Sequence, residues 1–266
     1  MNEWIPVIEK VQKAIVRIVV VNKDGDILSE GTGTIINSNG RVLTAWHVVE
    51  SYSVKDDVIY VFTSKGRYFY YPITSKYSIN FPSKQLEKLN IDYDIAFLDP
   101  IQQFFMSDFL MPQISDITIN MGSDLLLCGY SEETPNIIDI ESLATEIFNA
   151  NNNLRLKKEM KIVEGSMKPP TYKAGILSHT VHFYSENPTF HFQYIHVDNA
   201  AHGGMSGGPI IDSKGQFVAI ITQRTTVHFN IKDEDRIVHI DVPSGSTIGM
   251  TLNLISLILY KGSAII

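Results

Sequence analysis

The sequence predicts an all-β chain, a sandwich or a barrel, on three observations. Short apolar runs recur along most of its length, and turn signals stand between them. A hydrophobic share of 44% against 19% charged residues supplies enough apolar surface for a packed core. A length of 266 residues suits one large β domain or two small ones.

The elements follow in order. Pro6 opens a short helix, with Val7, Ile8, Val11 and Ala14 at helical spacing. Ile15 to Val21 reads as a strand, and Asp24-Gly25-Asp26 as the hairpin signal after it. Gly31-Thr32-Gly33-Thr34-Ile35-Ile36 reads as a strand that opens with glycines, Asn37-Ser38-Asn39-Gly40 as a turn, and Val42 to Thr44 as the next strand. Further short strands are expected at Val58 to Thr63, Arg67 to Ile73, Ile95 to Leu98, Leu125 to Cys128 and Thr171 to Ser178. His191 to Val197, Pro209 to Ile211, Phe217 to Thr222 and Arg236 to Ile240 complete the set. Two regions break the rhythm. The polar stretch from Ser131 to Glu164, with its tract Asn149-Ala150-Asn151-Asn152-Asn153, reads as a long surface insertion. Asn253 can cap a last helix from Leu254 to Tyr260, closed by Gly262.

Composition excludes several function classes. The formal net charge is −7 and no cluster of Lys and Arg offers a phosphate-binding surface, so nucleic acid is not an expected partner. Lys157, Lys158 and Lys161 read as an ordinary solvated face. Cys128, the single cysteine, cannot form an internal disulfide. It lies in the apolar run Leu125-Leu126-Leu127-Cys128 with no flanking histidine, so a buried small hydrophobe is expected there, not a nucleophile. Met1-Asn2-Glu3-Trp4 lacks the basic start of a signal peptide, and Glu9, Lys10, Gln12 and Lys13 interrupt any apolar stretch after it. The best candidate for a membrane span, Ile248 to Tyr260, is broken by Thr251, Asn253 and Ser256 and is shorter than the roughly 18 residues required. The expectation is a soluble cytoplasmic protein without a membrane partner.

The segment Gly203-Gly204-Met205-Ser206-Gly207-Gly208-Pro209 carries the chemistry. A nucleophilic serine needs its hydroxyl exposed on a tight turn and backbone N–H groups aimed at a developing oxyanion. Glycines on both sides of Ser206 allow both. A phosphate loop is the competing reading. It requires Lys-Ser/Thr leading into a helix, whereas Pro209-Ile210-Ile211-Asp212 leads into a strand. A serine of ordinary acidity also needs a general base. His47, in Leu43-Thr44-Ala45-Trp46-His47-Val48-Val49, is the candidate, its bland alternative being a satisfied core histidine. The base in turn needs a carboxylate to fix its tautomer. Asp94 opens Asp94-Ile95-Ala96-Phe97-Leu98, where an aspartate that merely caps the strand is the alternative. The order His, Asp, Ser matches one of the known triad orders and not the others. His179, His182, His191 and His196 form no pattern completed by a carboxylate, so strand and loop histidines are expected and no metal or other cofactor.

Through most of its length the chain resembles the trypsin-like serine peptidase family, and within it the bacterial HtrA (Deg) protease domains. Val7 to Ile18 is similar to the family's opening helix and first strand, and Gly31-Thr32-Gly33-Thr34-Ile35-Ile36 to its Gly-Ser-Gly strand. Asp94-Ile95-Ala96-Phe97-Leu98, Leu127-Cys128-Gly129-Tyr130 and Ala174-Gly175-Ile176-Leu177-Ser178 resemble three further motifs. Val197-Asp198-Asn199-Ala200-Ala201 with the serine loop, and Phe217-Val218-Ala219-Ile220-Ile221 after it, complete the resemblance. It implies a chymotrypsin/trypsin-like fold of two antiparallel six-stranded β-barrels with short N- and C-terminal helices. Residues 1–112 would form the barrel of His47 and Asp94, and residues 113–266 that of Ser206. It also implies a catalytic triad of His47, Asp94 and Ser206, and an oxyanion hole from the N–H groups of Gly204 and Ser206. The substrate pocket would be lined by Ala200, Ala201 and His202 before the serine and by Ile221, Thr222 and Gln223 after it, with no carboxylate at its base.

The chain departs from the family pattern in three places. Met205 stands where Asn or Asp is usual, the insertion Ser131 to Glu164 is long, and no PDZ domain follows the last predicted helix. Secreted trypsins mature when a new N-terminus pairs with an aspartate just before the serine. Met205 cannot form that ion pair, so any regulated activation must use loops or a regulatory protein partner. The expected function is a serine endopeptidase acting on protein or peptide substrates. The alternative is a catalytically silent member of the same fold that binds extended peptides by strand addition, or an interaction module that docks a partner through the insertion.

Overall fold

Pro6 lies in the first turn of helix α1 (Ile5–Val11), where its missing N–H costs no hydrogen bond. Val7 and Val11 are buried one turn apart, and a 3₁₀ turn over Gln12–Ala14 hands the chain to the first strand. The computed structural model describes residues 2–63, 66–73, 77–81, 89–102, 105–112, 119–132, 169–184, 191–233 and 236–252. Of the expected insertion only Ser131 and Glu132 fall within these residues, and the expected helix from Leu254 to Tyr260 lies outside them.

Strands β1 (Ile15–Asn22), β2 (Ile27–Ile35), β3 (Val42–Thr44), β4 (Asp57–Thr63), β5 (Gly66–Pro72) and β8 (Ala96–Pro100) close the first barrel in the order β1-β2-β3-β8-β5-β4. Strands β6 (Tyr77–Phe81) and β7 (Leu89–Tyr93) pair as a separate hairpin between β5 and β8. The second barrel joins β9 (Asp124–Gly129), β10 (Thr171–Tyr184), β11 (His191–Asp198), β12 (Pro209–Asp212), β13 (Phe217–Asp233) and β14 (Arg236–Thr251) in the order β10-β11-β14-β13-β12-β9. All these pairings are antiparallel, and closure leaves no open sheet edge in either barrel.

The period of two along each strand sorts side chains between cores. On β1, Val16, Ile18 and Val20 fill the first barrel, while Val19 and Val21 pack outside it against Phe62. On β9, Leu125 and Leu127 fill the second barrel, while Leu126 and Cys128 face the other way. They meet Ile15, Leu43, Ile95 and Phe97 from the first barrel and Val7 and Val11 from α1 in a shared core. That core joins the two barrels. Cys128 is fully buried in it, and burial pushes its thiol well above the ordinary range, which disfavours the reactive thiolate.

Beyond the extension of β10 from Ser178 to Tyr184, two features depart from the expected strand set. The β13–β14 ribbon runs from Ala219↔Thr251 out to Asp233↔Arg236, well past the expected ends at Thr222 and Ile240. Its register shifts between Ile221 and Gln223 and between Arg224 and Thr226, so the inside–outside alternation that marks a strand in sequence is broken there. The β6–β7 hairpin is the second departure, with Asp92 paired opposite Ser78 inside β7.

Candidate active site

His47 sits on a short 3₁₀ turn, Trp46–Val48, directly after β3. Ala45, Val48 and Val49 are buried on either side of it, and Val48 packs against Gly31, where an added Cβ would come within 2.5 Å of Val48 Cγ1. The turn is therefore anchored by apolar neighbours while the imidazole remains 42% exposed. Asp94 lies between β7 and β8, held by Ile95, which is fully buried. Its carboxylate grips His47 twice. Oδ1 accepts the His47 backbone N–H at 2.9 Å, and Oδ2 lies 2.7 Å from His47 Nδ1. A carboxylate can only accept, so Nδ1 carries the proton and Nε2 of the neutral ring is left as a base.

Ser206 stands in the loop between β11 and β12, partly exposed, with Gly204 at φ +81° and Gly207 at φ +80°. Both glycines occupy backbone that other residues rarely adopt. Gly207 packs against the strand end that carries His47, since a Cβ there would lie 2.2 Å from Thr44 Oγ1 and 2.7 Å from Ala45 N. Thr32, fully buried on β2, links the two barrels at this point. Its N–H donates to Ser206 O at 2.9 Å and its hydroxyl to Gly204 O at 2.8 Å. The same hydroxyl accepts Tyr130 N–H at 2.8 Å, and Thr32 O accepts the Thr44 hydroxyl at 2.7 Å.

Two further bonds orient the loop's amides. Gly203 O accepts Glu132 N–H at 2.9 Å, and Met205 O accepts Gly208 N–H at 3.0 Å. In a trans peptide the N–H points opposite to the carbonyl. Tying Gly203 O to Glu132 therefore turns the Gly204 N–H away from Glu132, and tying Met205 O turns the Ser206 N–H away from Gly208. Neither N–H has an acceptor among the described residues, so both can receive an anion.

The six expected pocket residues divide in two. Ala201 and Ile221 are buried in the second barrel's core, and the Thr222 hydroxyl donates to Ile248 O at 3.1 Å. Ala200 and His202 are partly exposed and Gln223 is exposed. Met205 is fully buried in the same core, where its Sδ accepts the His202 N–H at 3.4 Å.

Three residues absent from the sequence reading shape the site. Thr32 was visible only as part of a glycine-rich strand, and Glu132 only as the start of an insertion. Lys173, on β10, donates its ammonium to Ala200 O and lies 3.3 Å from His202 Nε2. Sequence offers no local signal for these contacts, because their partners lie far away along the chain.

Elsewhere, His179 and His196 meet edge to face across β10 and β11 with ring centroids 5.6 Å apart, and burial, then His179, hold His196 below its ordinary value. Among the described residues no group of three or more His, Cys, Asp or Glu side chains is placed to hold a metal ion. No helix among them is long and apolar enough to cross a membrane.

The crystal structure of the Rv3671c protease, in an inactive form, aligns with a TM-score of 0.57 over 97% of this chain and 93% of that one, at 17% identity, which is a likeness of fold. No curated protein matches the chain. The family model for the trypsin-like peptidase domain matches residues 31–220, a span that takes in His47, Asp94 and Ser206. The chain belongs to the trypsin-like peptidase domain family.

Proposed function

We propose that this chain is a serine endopeptidase that cleaves peptide bonds of protein substrates through His47, Asp94 and Ser206. The observation that carries this reading is the doubly bonded His47–Asp94 pair, on a turn that abuts the glycine next to Ser206. In this reading residues 1–112 and 113–266 are the two halves of the catalytic unit, which meet at Thr32.

Ser206 Oγ attacks the scissile carbonyl carbon as its proton passes to His47 Nε2. The negative charge that develops on the carbonyl oxygen is received by the N–H groups of Gly204 and Ser206. Each such donor is worth about 10² to 10³ in turnover in enzymes where one has been removed. The tetrahedral intermediate collapses, the C–N bond breaks, and His47 returns its proton to the leaving amine. Water then attacks the acyl-enzyme by the same route, giving the carboxylic acid and free Ser206. Asp94 keeps its charge throughout, holds the ring by Nδ1 and stabilises the imidazolium. The hydrolysis requires no cofactor.

Proteomic mapping of cut sites with purified protein tests the reading, with Ser206→Ala as control. Cleavage that disappears with Ser206→Ala, in a mutant that still unfolds at the wild-type midpoint, is the expected result. Near-wild-type cleavage by the mutant would remove Ser206 from the mechanism. The same outcome for both proteins, with no cleavage by either, would favour the peptide-binding alternative.

A further inference from the structure

The loop that carries Ser206 is braced from behind by a cation. Lys173 is half-buried on β10, opposite Leu127 of β9, and no carboxylate among the described residues pairs with it. Drawing an ammonium partly out of water without a counter-charge is unfavourable unless other acceptors replace the lost hydration. Two of its acceptors lie in one three-residue stretch, Ala200 O and His202 Nε2. An ammonium has no lone pair, so it donates to both, and His202 carries its own ring proton on Nδ1.

The neighbouring contacts complete a clasp. The Thr247 hydroxyl donates to Asn199 O at 2.6 Å and accepts Ala201 N–H at 2.7 Å, and Met205 Sδ takes the His202 N–H. Ala200 O is thus the place where the loop takes a charged donor, four residues before Gly204 in the sequence. Met205 is apolar and fully buried, so the residue before the serine offers no charge for a cation to hold. Glu132 lies against Gly203 and is exposed.

We propose that Lys173 is a positioning residue of the serine loop: by holding Ala200 and His202 it helps keep the Gly204 and Ser206 N–H groups in the oxyanion-binding arrangement. The proposal rests on the peptidase reading above. It places the effect of Lys173 in the transition state, where negative charge develops on the carbonyl oxygen, and not in the binding of the ground-state peptide.

The test compares wild type, Lys173→Met, Lys173→Gln and Lys173→Arg, each quantified by fluorophosphonate active-site titration. Measured on one peptide substrate, Lys173→Met is expected to lower kcat about 10- to 100-fold, short of the loss of a whole oxyanion donor, with KM within about twofold. The inhibition constant of a peptidyl aldehyde, whose hemiacetal oxygen occupies the oxyanion position, is expected to rise in step with the loss of kcat/KM. Lys173→Arg, which keeps a cationic donor, is expected to recover most of the activity, and Lys173→Gln, which keeps only a neutral one, to fall between. A purely structural role would lower the thermal midpoint and the titratable fraction but leave kcat per titrated site intact. That result in Lys173→Met, or in Lys173→Gln should the first variant not fold, overturns the proposal. A wild type that the fluorophosphonate does not label defeats the peptidase reading and the proposal with it. A labelled wild type beside an unimpaired lysine variant defeats the proposal alone.

Discussion

Asp94→Asn separates an orienting carboxylate from a merely structural one, because the two hydrogen bonds of Asp94 dictate which way the amide must lie. Its Oδ1 accepts the His47 backbone N–H at 2.9 Å, and that N–H can only donate. In the mutant the amide oxygen must keep this place, which puts the NH₂ group against His47 Nδ1, where Oδ2 now stands at 2.7 Å. Nδ1 must then accept, so the ring proton moves to Nε2. That is the atom required to take the proton of Ser206. The side chain keeps its shape and both contacts, so the fold should survive. Stability should fall by about 1 to 3 kcal/mol at most, the size of a charge-assisted hydrogen bond. Turnover should fall by about 10⁴, the loss found when the same change was made in a well-studied triad, or about 5.4 kcal/mol in the barrier. The assay is kcat on one peptide near pH 8, with Asp92→Asn alongside. Asp92 lies in β7 opposite Ser78, and its replacement should cost roughly tenfold or less. If Asp94→Asn keeps its turnover within tenfold of wild type, or Asp92→Asn is the crippled protein, the tautomer argument is wrong.

Gly207→Ala should damage the loop. At φ +80° its Cβ would come within 2.2 Å of Thr44 Oγ1 and 2.3 Å of Thr32 O, so a loss of about 3 kcal/mol or more is expected by urea denaturation, and an unchanged midpoint would mean the two barrels do not meet there as described. Cut sites should show small or medium apolar residues before the scissile bond. The candidate pocket segments hold no carboxylate, and the ammonium of Lys173 beside Ala200 adds like-charge repulsion to a basic side chain, so cleavage mainly after Arg or Lys would contradict the pocket assignment.

Much of this architecture is legible in the sequence, and the reasons are local. In the first barrel, Asn22 to Asp26 and Asn37 to Arg41 are turns closed by their own asparagine side chains, so the strand ends are marked by residue type. The candidate triad is legible because each member sits in a short segment of distinctive composition and the order of the three is informative. What was not legible depends on tertiary contact. The β13–β14 ribbon hides behind its bulges, and the polar run Gln223-Arg224-Thr225-Thr226 reads as the end of a strand when it is a continuation. Tyr77 to Phe81 does alternate, but the Pro82-Ser83-Lys84 that follows suggests a loop, and its partner β7 merges with the approach to Asp94. Thr32 and Lys173 act on Gly204 and Ala200 across the fold, and a threonine in a strand or a lysine at a strand start carries no mark of such a role.

The proposed function requires Ser206 to be an activated nucleophile in the folded protein. The most direct measurement is mass spectrometry of the purified chain after reaction with a fluorophosphonate, with peptide mapping of the adduct. A single phosphonyl group on Ser206 is expected, formed in native protein, absent from Ser206→Ala and from protein unfolded before the reagent is added, and formed much more slowly in Asp94→Asn. A native protein that stays unmodified, or is modified at another serine at the same rate with and without His47, would contradict it.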